Sequence, residues 1–198
     1  MLFRSNRVLS LSLALGALVV GTIGPARDSN AQVNDDLRVN VTRAGDVVRV
    51  KAEFVVAVSA PQAFAVLTDY DHMRAFLPGV VESKVIERAP ERLVVSQSVR
   101  MKVGFLSVPL DSVRQVELTP PFKLVSRALS GTVSKAEVTT TLSEAQGKTV
   151  VTYQSEATMN RWLPAGLGTS LISAHVREQL THMRAEMVRR HDRARPDL

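Results

Sequence analysis

The 198-residue chain has no cysteine, so disulfides, thiolate metal sites, iron–sulfur clusters and Cys nucleophiles are all excluded. Acid–base and ligand chemistry must come from four histidines, the carboxylates and two tyrosines. The densest such group is Asp69-Tyr70-Asp71-His72. Asp69 and Asp71 there also have the places of helix caps, with Tyr70 packing between them. A second set, His175, Glu178, His182 and Glu186, follows helical spacing along one flank. Such a ladder can bind a metal. It stands about 100° or more from the apolar stripe of the same helix, with Arg177 and Arg184 interspersed, so the reading is a solvated flank with no metal. Arg114 differs, because it shares the strand face of Leu110, Val116 and Leu118. An inward guanidinium must find an anion, either an acidic neighbour such as Glu137 or a ligand carboxylate or phosphate.

These groups sit in a chain of ordinary globular composition, 45% apolar and 22% charged. Its N-terminus reads as an export signal. Arg4 and Arg7 precede an uncharged stretch, Val8 to Gly24, and Ser29 and Ala31 occupy the small-residue positions a signal peptidase reads. Cleavage after Ala31 is expected, giving a periplasmic or otherwise exported protein; retention as a membrane anchor is the alternative. Loss of Arg4, Arg7, Arg27 and Asp28 lowers the net charge from +6 to +4, so the basic balance is partly a property of the signal. Export also argues against a nucleic-acid partner.

The expected organisation is a signal at 1–31, an N-terminal strand or extension at 32–44, one domain at 45–191 and a basic tail at 192–198. Within it the hydrophobic period is mostly two. Val48, Val50, Ala52, Phe54, Val56 and Val58 share one face, opposite Arg49, Lys51 and Glu53. Ser59-Ala60-Pro61-Gln62 then begins a short helix ending near Asp69, and a second, Asp71 to Leu77, is stopped by Pro78-Gly79. Strand patterns resume from Val80. On 92–105 the residues Leu93, Val95, Gln97, Val99, Met101, Val103 and Phe105 share a face, and further strands are expected at 108–118, 122–129, 132–143 and 149–158. From about 165 to 191 the apolar residues Ile172, Val176, Leu180, Met183 and Met187 step at helical spacing. A helix of that length spans about 40 Å. Strands segregated from helices give an α+β fold, a curved antiparallel sheet of about six to seven strands around the long terminal helix.

This order resembles the START-related superfamily of helix-grip proteins. The resemblance is carried by Val56-Ala57-Val58-Ser59-Ala60-Pro61, Leu67-Thr68-Asp69-Tyr70, Phe76-Leu77-Pro78-Gly79, Thr119-Pro120-Pro121-Phe122-Lys123-Leu124 and Gly131, and covers about 45–190. It is strongest with the polyketide cyclase/dehydrase and coenzyme-Q-binding groups. It implies a cavity between sheet and helix for lipids, quinones, sterols, polyketides or hormones, without selecting among them.

The residues support such a cavity on their own, since a concave face of Val, Leu and Met with only nine aromatics in the chain leaves room. The candidate ligand-binding residues are Phe76, Leu77, Gln97, Met101, Phe105, Arg114, Tyr153, Ser155, Ile172 and Val176. The expected function is non-enzymatic binding of a small hydrophobic or amphipathic molecule of the lipid, quinone or terpenoid class. No catalytic residue, metal or cofactor is assigned. Two alternatives remain: a cyclase or dehydratase using Asp69, Tyr153 or His72, and a scaffold acting through a protein partner that the sequence does not identify. Arg189, Arg190, Arg193 and Arg195 suit the dipole at a helix end and also a transient contact with an anionic membrane surface. Trp162, beside Leu163 and Leu167, reads as a buried anchor of the helix start, or else as an exposed tip.

Overall fold

The computed structural model describes residues 37–103, 106–133, 135–158 and 168–195. The signal segment, Phe105 and Trp162 lie outside the described residues. Alternation along β2 (Val47–Val56) is complete: Val48, Val50, Ala52, Phe54 and Val56 are buried and Arg49, Lys51 and Glu53 exposed. A strand with one greasy face needs a cover, and here Ala60, Ala63 and Phe64 of a short helix and Met183 and Met187 of the long one supply it.

Before it comes β1 (Arg38–Ala44), and after it β3 (Val80–Ala89), β4 (Arg92–Val103), β5 (Leu106–Thr119), β6 (Lys123–Gly131), β7 (Lys135–Ala145) and β8 (Lys148–Thr158). The order in the sheet is β1-β2-β8-β7-β6-β5-β4-β3, and every pairing is antiparallel. Eight strands exceed the expected six to seven, because the N-terminal extension pairs along its length with β2, from Arg38 opposite Glu53 to Ala44 opposite Val47. The last strand returns to the first long one, with Val47 opposite Thr158 and Val56 opposite Thr149.

Helix α1 (Ala60–Leu67) begins where expected. The Ser59 backbone N–H donates to Gln62 Oε1 at 3.1 Å, and Ala60 N–H donates to Glu144 Oε1 at 2.5 Å. Two of the N–H groups left open at a helix start are thereby satisfied. The second short helix is instead a 3₁₀ turn, Tyr70–Ala75. Six residues between a tight corner and Pro78-Gly79 are too few for α-helical propagation, and the tighter turn fits.

Helix α2 (Thr169–Arg193) packs against β1, α1 and β2 and buries Leu180, Met183 and Met187. Arg177 donates to Leu37 O at 2.7 Å and Gln179 to Pro78 O at 2.7 Å, tying it to both ends of the sheet. No helix among the described residues is long and apolar enough to cross a membrane.

Near its C-terminus α2 carries a charge cluster. Glu186, 4% exposed, accepts from Arg190 Nε at 2.7 Å and from Arg189 Nε at 2.6 Å, and Arg190 also pairs with Asp69 at 2.7 Å. Two of the four arginines offered for a membrane surface are therefore engaged by the protein's own carboxylates. Hydrogen bonds from Arg189, opposed by burial and aided by Arg190, hold Glu186 below the usual carboxylate range. Burial pushes Asp69 up, but hydrogen bonds from His72 and Arg190 and their charge outweigh it, so its pKa too is lowered. A lowered folded-state pKa means that the native protein binds fewer protons than the unfolded chain as acid is added. The stabilisation is complete above the ordinary carboxylate pKa of about 4 and is lost as pH falls through the lowered value. Thermal denaturation followed by circular dichroism should show a midpoint that this cluster leaves flat above about pH 5 and pulls down below about pH 4. Glu186→Gln should lower the neutral-pH midpoint by a few degrees and make the acid limb shallower. An unchanged acid limb would refute this role for Glu186.

Candidate ligand cavity

Between the concave face of β4 to β8, the 3₁₀ turn and α2 lies a cavity of about 430 Å³. Its walls are mainly apolar, with Leu67, Leu77, Val99, Leu124, Val138 and Leu180 among them. That volume lies within the range of small-molecule sites, about 300–1,000 Å³.

Polar groups enter at successive strands. Gln97 comes from β4, Arg114 from β5, Ser126 from β6, Thr140 from β7, and Tyr153 and Ser155 from β8. Cross-strand register explains the grouping: Thr140 stands opposite Tyr153, Val138 opposite both Ser126 and Ser155, and Val116 opposite Ser126. Across β5 and β6 the pairing steps from Val113 opposite Ser130 to Arg114 opposite Ala128, so Leu129 is the extra residue of a β-bulge facing Arg114.

Arg114 is the cation of the wall, and its surroundings correct one expectation. Glu137 is not its partner, because it pairs with Arg127 at 2.8 Å on the outer face. Arg114 is two residues from Val116 and shares its inward face, whereas Glu137 alternates with inward Ala136 and Val138 and so points away. Arg114 Nη2 donates to Gln97 Oε1, and the guanidinium lies 5.8 Å from the Tyr70 ring centroid. Gln97 in turn donates to Ser83 Oγ at 3.1 Å and to Met73 Sδ at 3.5 Å. Arg114 Nε and Ser126 Oγ are buried and meet no partner.

Six expected site residues line this cavity: Leu77, Gln97, Arg114, Tyr153, Ser155 and Val176. Three others do not. Met101 is buried near the far end of β4, Ile172 is half-buried a turn before Val176, and Phe76 packs on the core with Arg190 at 5.5 Å over its ring. Phe76 thus belongs with the packed core, while Met101 and Ile172 lie outside both that core and the cavity lining. The tenth, Phe105, lies outside the described residues.

His175 corrects a second expectation. It lines the cavity with Gln179, although it lies off the apolar stripe. The strongly curled sheet covers a wider arc of α2 than the stripe marks. Burial lowers the His175 pKa, with Glu178 at 4.0 Å partly opposing, so the ring is neutral near pH 7. Tyr70 is pushed up by burial, against the pull of the Arg114 charge, and keeps its proton. Of the acid–base alternatives, Asp69 and His72 pair with each other at 2.6 Å, and neither lines the cavity. Three residues apart at the start of the 3₁₀ turn, they lie on a different face from Tyr70 and Met73, which do line it. Asp69 does take the N-cap place of the turn, without a side-chain capping bond, whereas Asp71 is not a cap: it accepts from Val85 N–H at 2.8 Å and Arg88 at 2.7 Å, fastening the turn to β3. Tyr70, Ser126, Thr140 and His175 are lining residues that the expected site lacks. Ser126 and Thr140 carry a sequence signal, since each shares a strand face with a buried leucine, Leu124 or Leu142; Tyr70 and His175 stand in the polar groups the sequence singles out, but nothing in their spacing points them at the cavity.

Residues 47–188 match the family described as polyketide cyclase / dehydrase and lipid transport. The chain belongs to this family. No curated protein sequence matches it. Among solved structures, a protein from Thermus thermophilus is similar at 14% identity and TM-score 0.63, over 71% of this chain and 97% of the other. A STAR-related lipid transfer protein from Xanthomonas axonopodis is similar at 14% identity and TM-score 0.62, over 77% and 99%. The Zhui aromatase/cyclase from a Streptomyces species is similar at 16% identity and TM-score 0.60, over 73% and 95%. At these identities the likeness establishes the shared helix-grip fold. For a polyketide cyclase / dehydrase and lipid transport protein, the sheet–helix cavity is then the place to seek ligand chemistry.

Proposed function

We propose that the protein is an exported, non-enzymatic carrier that holds a small hydrophobic or amphipathic molecule in the sheet–helix cavity. The observation that carries this reading is the cavity itself, about 430 Å³ with mainly apolar walls and a few fixed polar groups. Burial of the ligand's apolar surface supplies the affinity, at about 25 cal/mol per Å², and the polar groups set its orientation. Export rests on the signal-like N-terminus.

A cyclase or dehydrase is the second reading, favoured by one observation: Tyr70 and His175, both titratable and both shifted by burial, line the same cavity. The lipid transfer and aromatase/cyclase relatives stand on the two sides of this choice.

Native mass spectrometry of the protein purified from its host, followed by denaturing extraction, separates the readings. A stoichiometric lipid, quinone or terpenoid released unchanged is the expected result. An apo mass that persists after incubation with total lipid extract would sink the carrier reading.

A further inference from the structure

We infer that the cavity selects a carboxylate-ended amphiphile of single-chain or compact ring type, whose carboxylate is held by Arg114 Nε and Ser126 Oγ. The inference rests on the carrier reading and names its ligand class.

Charge comes first. Arg114 has no carboxylate partner among the described residues, in a wall that is otherwise mainly apolar. Asp111, the acidic residue of the lining, instead accepts from Ser98 Oγ at 2.6 Å. Of the other lining side chains, Tyr70 keeps its proton and His175 is a neutral ring near pH 7, so neither offers the guanidinium an anion. A half-buried guanidinium without an anion, its Nε shut off from solvent, gains from a charge-assisted hydrogen bond to a carboxylate.

The free donors come second. Gln97 and the Tyr70 ring hold the guanidinium in place and take one of its nitrogens, leaving buried Nε unmet. Ser126, 7% exposed, has an Oγ with no partner and lines the same cavity. Val116, two residues beyond Arg114, is the cross-strand neighbour of Ser126, so Ser126 and Arg114 are diagonal neighbours on one face. Such side chains start about 7–8 Å apart, a gap that the long Arg side chain and one small anion bridge. Orphaned buried donors of this kind call for a partner, and a cationic N–H and a hydroxyl on neighbouring positions of one wall suit an oxyanion.

Size comes third. A methylene occupies close to a water's share of about 30 Å³, so the cavity holds roughly fourteen heavy atoms. That accommodates a whole medium-chain carboxylic acid. One unpaired positive charge also matches one carboxylate better than a doubly charged phosphate monoester.

The test titrates the full-length protein at pH 7.5 with dodecanoate, 1-dodecanol and dodecyl phosphate by isothermal calorimetry. Dodecanoate should bind at least tenfold more tightly than dodecanol, and Arg114→Gln should erase that advantage. Equal affinity for acid and alcohol would overturn the inference while leaving the cavity reading intact. Failure of all three probes to bind would bring down both. Tighter binding of the phosphate than of the carboxylate would overturn the carboxylate assignment. Should Arg114→Gln fold poorly, carbon-13 NMR of carboxyl-labelled dodecanoate on the unaltered protein gives an independent reading. The bound carboxyl should titrate below the free acid, and an unshifted or raised titration would overturn the proposal.

Discussion

Val138→Trp is expected to abolish uptake of apolar probes while leaving the fold in place. Val138 stands opposite Ser126 on one side and Ser155 on the other, and all three line the cavity, so its side chain rises from the middle of the floor. An indole there takes up a large share of about 430 Å³ and lies across the path to Arg114. In a filled core such an enlargement costs about 1–3 kcal/mol, because neighbours must move. Here the added rings enter empty space, and their burial offsets much of that strain. Affinity for dodecanoate or a neutral fluorescent probe should fall roughly 100-fold, about 2.7 kcal/mol, with the thermal midpoint within a few degrees of the parent. Retained affinity in a folded Val138→Trp protein would show that the ligand binds elsewhere.

Gly131→Ala should cost the most stability of any glycine-to-alanine change among the described residues. Gly131 closes β6 at φ +135°, and an added Cβ would lie 2.2 Å from Asp111 O and 2.8 Å from Ser112 Cα. Both are backbone atoms, so no side chain can swing aside. The close approach is fastened on each side of the strand end: Thr132 N–H donates to Asp111 O at 2.8 Å, and Asp111 N–H donates to Thr132 Oγ1 at 3.0 Å. Parting β5 from β6 would break both bonds and disturb the bulge opposite Arg114. Backbone strain of about 1–3 kcal/mol and overpacking of about 1–3 kcal/mol act together, against a total stability of about 5–15 kcal/mol for a typical domain. Gly147→Ala is the control. Its φ is +71° but nothing lies within 4 Å, so only the left-handed backbone term of about 1–2 kcal/mol applies. Urea denaturation of the two variants should rank Gly131→Ala well below Gly147→Ala, and the reverse order would contradict the close approach.

Most of the fold is legible because the alternation of wet and dry faces marks the long strand β2 and recurs, less completely, along several others. The alternation along 47–56 names its buried residues without reference to any neighbour; on β4 it names Leu93, Val95 and Gln97 but misses Val94, which is buried on the other face. The same rule places Arg114 inward. It does not give the partner, since Glu137 lies two strands away and only pairing with β6 turns it toward Arg127. The 3₁₀ turn reads as an α-helix in sequence because capping residues are common to both, and length between fixed ends decides between them.

By itself, then, the amino-acid sequence determined the strand faces, the helix starts, the inward position of Arg114 and the apolar supply from which a cavity is built. These depend on periods of two and 3.6 residues, which are local. Tertiary structure decided which inward residues border empty space and which are solid core. It placed His175 and Tyr70 at the cavity, moved Met101 and Ile172 away from it, and took Asp69 and His72 into an ion-pair network. Those outcomes follow from how far an eight-stranded sheet curls around one helix. That curl arises from twist, bulges and register summed over all the strands, so no window of neighbouring residues encodes it.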